Sequence, residues 1–426
     1  DISATAGIDV GKRWSNGVTF VDINDDGWLD IYVAQGGPFA QENRKNLLYI
    51  NQQDNTFQEK AAAYGLADSG LSTQSVFFDF DKDGDLDCVV SNENELYGVD
   101  PINFYRQLTS NANLRMKSSC HLYQNDNDTF KNITKEAGLL NPTFGLGLTV
   151  SDLNDDGWLD IYIANDYYVP DNMYINQKNG TFRDEAKTRL NQMSFFGMGV
   201  DVADVNNDGL QDIYVLDMAS SDHYRAKTLM ASMDVAGFDL LVNKLQMPHQ
   251  YMFNSLQVNL GNDKYSNVAH FSHVAKTDWS WAGLLADFDH DGLKDILVTN
   301  GYRKYGLDND LQAKVRAAQQ EYKGRVPLEV KQLLYDAMPT EPLPNILYKN
   351  FGSLDFKDKT SDFGLDLPTY SNGAAICDLD NDGDLDLIIN NMDSEALLYQ
   401  NTVVENKLGN YLAIKLESGL SETFGK

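Results

Sequence analysis

One pattern constrains this chain more than any other: D-x-[D/N]-x-D-G-x-x-D occurs six times along its length. The copies are DINDDGWLD from Asp22, DFDKDGDLD from Asp79, DLNDDGWLD from Asp152, DVNNDGLQD from Asp204, DFDHDGLKD from Asp287 and DLDNDGDLD from Asp378. Repetition of this kind marks an architecture of stacked supersecondary units, none of which buries its apolar face alone.

The spacing has a chemical reading. A hard cation such as Ca²⁺ takes six to eight oxygens at about 2.3–2.6 Å, and Mg²⁺ demands a tighter, wetter octahedron. Side chains at positions 1, 3 and 5 converge when the backbone coils around a point. Glycine at position 6 permits the sharp turn, position 7 offers its carbonyl, and the aspartate at position 9 closes the cage. The expected donors are therefore Asp22, Asn24, Asp26, Trp28 and Asp30 in loop one, and Asp79, Asp81, Asp83, Asp85 and Asp87 in loop two. Loop three offers Asp152, Asn154, Asp156, Trp158 and Asp160, and loop four Asp204, Asn206, Asp208, Leu210 and Asp212. Loop five offers Asp287, Asp289, Asp291, Leu293 and Asp295, and loop six Asp378, Asp380, Asp382, Asp384 and Asp386. About six Ca²⁺ ions are expected, held more tightly by loops two, five and six, where position 3 is Asp. An EF-hand opens similarly but needs a glutamate at position 12 and a following helix. Here position 12 is Val33, Val90, Ile163, Val215, Val298 and Ile389, inside runs that read as buried strands.

Each loop sits in a longer unit. An apolar strand precedes it and another follows. A third segment comes next (NLLYINQ, HLYQND, NMYINQ, YMFNSLQVN, NILYKN, ALLYQN), then a fourth (TFQEKA, TFKNIT, TFRDEA, KYSNVA, DFKDKT). Four antiparallel strands repeated around an axis make an all-β propeller. Its units run over about 8–65, 66–138, 139–190, 191–272, 273–364 and 365–402. Residues 1–7 are expected as a strand of a neighbouring blade, and 403–426 as a closing strand or the start of a C-terminal β domain; read alone, these ends suggest a six-bladed ring in which the N-terminal strand completes the last blade. Three insertions, roughly Asn92 to Cys120, Met218 to Gln250 and Asn300 to Asn345, fall between second and third strands; the last two look partly helical.

Strand order then separates two faces. The metal loops lie on one (Y), and all three insertions lie on the other (X), where binding residues are expected to concentrate. Trp14, Leu71, Phe144, Phe196, Trp279 and Tyr370 recur eight residues before each loop, at the X end of the first strands. The ligand-contacting candidates are Trp14, Trp279 and Trp281, with His223, Tyr224 and Arg225 in one insertion and Tyr302 and Arg303 in another. Packing of the ring of aromatics, and a helix cap for the Asp222–Arg225 cluster, are the competing structural explanations.

The formal charge of −29 argues against a nucleic-acid partner, and no apolar run is long enough to span a membrane. Cys88, Cys120 and Cys377 are too few for a disulfide framework and are expected as buried thiols.

Beyond the loops, the segments NDYYVPDNMYINQ, SDHYRAKTL, HQYMFNSLQVN, KTDWSWAGLLADFD and SNGAAICDLDNDGDLD resemble the VCBS/FG-GAP repeat propellers of the cartilage-acidic-protein (ASPIC/UnbV) family. The likeness is strongest to large surface proteins of Bacteroidota. It implies a seven-bladed parent, an outer-membrane or cell-surface setting, and a C-terminal domain opening at NYLAIKLESGLSETFG. The reading that follows is a non-enzymatic, extracellular, calcium-stabilised module whose partner is a glycan or cell-surface protein. Its rival is a lyase-like enzyme acting on polysaccharide from face X, with a base beside Arg225.

Overall fold

The computed structural model describes residues 2–38, 40–228 and 235–412. The chain is an all-β propeller of antiparallel blades, five four-stranded and one three-stranded among the described residues. Blade 1 comprises Ser15–Val21, Asp30–Gln35, Leu47–Asn51 and Phe57–Glu59. Blade 2 comprises Ser72–Phe78, Asp87–Asn92, His121–Gln124 and Lys131–Asn132. Blade 3 runs through Gly145–Ser151, Asp160–Asn165, Asn172–Asn176 and Phe182–Asp184. Blade 4 has Val200–Ala203, Asp212–Val215, Ser255–Asn259 and Tyr265–Asn267, and blade 5 Ser280–Ala286, Asp295–Asn300, Ile346–Asn350 and Phe356–Asp358. Tyr370–Cys377, Asp386–Met392 and Leu397–Tyr399 form blade 6.

The second strands explain why the blades stack. DIYIAN and DILVTN are buried along their whole length because a blade is covered on both faces. One interblade core joins Val21, Tyr32 and Leu48 of blade 1 to Cys88, Val90 and Tyr123 of blade 2, and similar cores follow around the series. First strands neighbour one another in chain order and are stitched by side chains to backbone. Thr19 Oγ1 donates to Ser75 O at 2.8 Å, Leu148 N to Gln74 Oε1 at 2.9 Å, and Leu285 N to Asp201 Oδ2 at 2.8 Å.

Among the described residues the two flanks of the series are open. Phe20, at 61 % exposure, and Val18 face solvent on blade 1, whereas Leu148 and Leu285 at the matching positions of blades 3 and 5 are buried. On blade 6, Leu398 is 67 % exposed although its counterpart Leu48 is fully buried. Cys377 lies on this same uncovered face and is exposed, so the expectation of three buried thiols holds only for Cys88 and Cys120. No blade covers that face among the described residues.

Residues 3–7, expected as strand, form a turn instead. Phe57 N donates to Ala6 O at 2.8 Å, as Phe130 N donates to Tyr64 O and Phe182 N to Ala137 O. The segment thus docks on blade 1 as the tail of one blade docks on the next. Residues 403–412 form no strand, and 413–426 lie outside the described residues. All three insertions are helical, including the first (Pro101–Ser110 and Ala112–Lys117), where Asp100 caps the helix and Pro101 occupies its first turn. Pro327 is the N-cap of the helix Leu328–Asp336 in the third insertion.

Blades 1 and 2 share a buried ion pair. Asp68 Oδ2 sits 2.5 Å from His121 Nδ1 and accepts from Tyr123 Oη at 2.8 Å. Burial raises the Asp68 carboxyl, but the His121 charge and hydrogen bonds outweigh it and bring it down to about 2. For His121, burial opposes the charged form, and Asp68 overrides it to raise the imidazole. Asp68 therefore stabilises fully above its unfolded value near 4 and loses this as pH falls towards 2. His121 stabilises fully below about 6.5 and loses this as pH rises through its raised folded value. Thermal melts should show His121→Asn furthest below wild type between roughly pH 4 and 6.5, the gap narrowing on both sides. A gap independent of pH would mean that the pair is not ionised in the fold.

Candidate metal loops and the opposite face

In all six blades the residue before position 1 pairs with position 9 across the hairpin, from Val21 with Asp30 to Cys377 with Asp386. Each loop is thus a fixed connection between first and second strands. Position 4 adopts a left-handed conformation in every copy, and glycine 6 follows with φ between 82° and 102°. That second turn suits glycine, which has no Cβ to clash.

The carboxylates divide the work. At position 1, one oxygen accepts from the position 5 N–H and the other from the glycine N–H, at 3.0 and 2.7 Å for Asp152. Position 9 is buried, and its two oxygens accept from the N–H of position 2 and from an asparagine ending the third strand. For Asp160 these donors are Leu153 and Asn176, at 3.0 and 2.8 Å. That asparagine recurs as Asn51, Asn125, Asn176, Asn259, Asn350 and Asn401. In blades 3 to 6 its Nδ2 also donates to the position 2 carbonyl of the preceding blade's loop: Phe80, Leu153, Val205 and Phe288. This interblade latch was missed in the sequence, although the recurring N of YIN, YQN and YKN carried the signal.

Position 3 behaves differently. Oδ1 of Asn24, Asp81, Asn154 and Asp289 is buried without a hydrogen-bond partner, as are Asp85 Oδ1, Asp382 Oδ2 and Asp384 Oδ1. Buried acceptors left unpaired are costly. Here they cluster with further carboxylates: Asp79, Asp81 and Asp87, Asp287, Asp289 and Asp291, and Asp378, Asp380 and Asp386 each bring ligand atoms within 4.8 Å of one another. Burial, reinforced by neighbouring loop charges, pushes Asp160 and Asp295 up to about 7 and Asp212 to about 6. An all-oxygen set with orphaned inward acceptors fits a hard cation. Trp28 N and Trp158 N donate to the position 5 carboxylates of Asp26 and Asp156 at 2.9 and 3.0 Å, and Lys82 Nζ lies 4.5 Å from the centre of the Trp158 ring.

On face X the insertions bury two of the recurrent aromatics. Phe144 is buried and stacks on Phe104 of the first insertion, with centroids 5.5 Å apart. Trp279 is buried against Tyr302 at 3.5 Å, and Trp281 Nε1 donates to Gly301 O. Arg225 is buried and held by both oxygens of Asp278 at 2.8 and 2.9 Å, with Glu341 and Tyr305 completing its shell. Asp222 Oδ1 caps the short helix by accepting from Arg225 N, so the cluster serves the fold as a helix start. Tyr224 remains exposed beside Arg225 at a shallow cavity of about 160 Å³, His223 is exposed, and Arg303 pairs with Asp393. Trp14 is 55 % exposed, and Tyr97, 62 % exposed and unforeseen from sequence, meets Tyr167 edge-on at 5.1 Å.

A model of the FG-GAP-like repeat matches residues 22–90 and 152–215. Integrin alpha-3 of Mus musculus is 32 % identical over 83 residues, 17 % of this chain and 8 % of that protein. Cartilage acidic protein 1 of Mus musculus is 25 % identical over 203 residues, 40 % of this chain and 31 % of that protein. The chain thus spans under a third of the length of these relatives. Among solved structures, an Agrocybe aegerita lectin recognising non-reducing terminal N-acetylglucosamine aligns over 95 % of this chain and 80 % of its own, at 14 % identity and a TM-score of 0.48. The chain is a propeller carrying FG-GAP-like repeats.

Proposed function

We propose that this propeller is a calcium-stabilised, non-enzymatic binding module working outside the cytosol, in the surface-protein setting that its resemblance to Bacteroidota proteins implies. The observation that carries it is the set of buried, unpartnered oxygens aimed into the loops of face Y. Calcium loops of modest affinity fill at the millimolar levels found outside cells. Similarity to an integrin segment supports the same setting. A seventh blade would cover Phe20 and Leu398, whose exposure favours that parent architecture.

With the metals as scaffold on face Y, the ligand, a glycan or a protein, belongs on face X. Trp14 and Tyr97 are its exposed anchors, since Trp279, Trp281 and Arg225 are engaged within the fold. The lyase reading needs a cationic group free to neutralise a uronate, and Arg225 already serves three partners. Trp14→Ala and Tyr97→Ala should each weaken capture on a glycan array or by a surface-protein partner by about tenfold or more, with unchanged melting. Release of unsaturated product from a uronic-acid polymer, abolished by His223→Ala, would replace this reading with the enzymatic one.

A further inference from the structure

The residue just before each latch asparagine follows the chemistry of the loop it faces. Where position 3 is Asn24, Asn154 or Asn206, the strand residue is aliphatic: Ile50, Ile175 or Val258. Where position 3 is Asp81, Asp289 or Asp380, it is a nitrogen donor: Gln124, Lys349 or Gln400. These donors reach the loops. Gln124 Nε2 donates to Asp81 Oδ2 at 2.8 Å and Gln400 Nε2 to Asp380 Oδ2 at 2.7 Å. Lys349 Nζ donates to Asp289 and lies 2.9 Å from Asp291 Oδ2. In the other three loops the donor is internal, because the amides of Asn24, Asn154 and Asn206 donate to Asp26, Asp156 and Asp208 at 3.3, 2.9 and 2.9 Å.

Every loop therefore directs an N–H donor at its position 3 or 5 carboxylate, from within or from the third strand. In loop five that donor is a full positive charge, mostly screened from water and bridging both positions. Lys178 also approaches a loop, 3.3 Å from Asp156 Oδ2, but it does so from the rim with 45 % of its side chain exposed, and it meets position 5 alone.

We propose that Lys349 is the resident cation of loop five, and that calcium enters this loop last and most weakly because it must displace the ammonium. The inference rests on the calcium reading above. Asp289 Oδ1 stays buried and unpartnered beside Asp287 and Asp291, so the cage keeps an inward acceptor for a divalent ion once the lysine withdraws. A neutral glutamine leaves the full carboxylate charge of loops two and six available to the metal. A lysine cancels one unit of it in loop five and repels the incoming ion. The all-Asp composition that groups loop five with loops two and six is thus offset by a residue 54 positions beyond its last aspartate.

The test is stepwise calcium titration of stripped protein by calorimetry and native mass spectrometry, comparing wild type with K349Q, which copies loops two and six. In wild type the weakest step should be about tenfold or more weaker than the rest, and K349Q should tighten that step by a similar factor. Stripped K349Q should melt below stripped wild type, with the gap closing or reversing in excess calcium. K349M, which removes the charge and the hydrogen bond together, should tighten the same step and provides a second route should K349Q not survive stripping. Identical stoichiometry and stepwise affinities in wild type and both variants would overturn the inference while leaving the calcium reading intact. Absence of calcium binding to wild type would overturn both.

Discussion

Stripping the protein with EDTA is expected to lower its melting temperature by on the order of 10–20 °C, with recovery in millimolar CaCl₂ and little recovery in MgCl₂. At free calcium a hundred times its dissociation constant, one filled loop contributes about 2.7 kcal/mol. Several such loops together match the whole stability of an ordinary domain, about 5–15 kcal/mol. Two features make the loss large here. Five of the six cages hold buried acceptors with no protein donor, and the stripped chain carries its full formal charge of −29. Differential scanning calorimetry at matched ionic strength checks this. Equal melting with and without chelator would mean that the loops are self-sufficient turns.

The second large effect is expected at position 9. Asp160→Ala should cost roughly 3–5 kcal/mol in a urea melt even with calcium in excess, and Asp160→Asn should fall between that variant and wild type. The carboxylate is fully buried and takes N–H groups from Leu153 and Asn176, so truncation leaves two buried donors unpaired. The same loss loosens the latch, because Asn176 also donates from its side chain to Phe80 O of the neighbouring blade. Asn amide keeps one carbonyl acceptor and so preserves one of the two bonds. If Asp160→Ala loses stability only when calcium is present, position 9 acts as a ligand alone and not as the tie between loop and strand.

Much of this molecule is legible from its spacing. The aspartates and glycine of each loop are local in sequence, and the hairpin that closes them spans nine residues, so pattern alone predicts their geometry. The strand runs after them are short, apolar and β-branched, which excludes the EF-hand and gives the blades. Insertion sites follow because extra chain between second and third strands has one place to go. The short first-insertion helices, Pro101–Ser110 and Ala112–Lys117, were less legible, since their sequence lacks a long amphipathic repeat.

What the tertiary structure alone decides is which polar and aromatic side chains are already engaged. Arg225 meets Asp278 from 53 residues away and Glu341 from 116, and Trp279 stacks on a tyrosine brought in by a separate insertion. No local pattern encodes those encounters. The exposed flanks at Phe20 and Leu398 are likewise properties of blade order, because the sequences of those strands match their buried counterparts. The sequence by itself determines a repeating oxygen cage on a β scaffold, since both depend on neighbours within one hairpin. Long-range packing determines which residues remain free to meet a partner, and it brings Lys349 of the third strand onto the fifth cage.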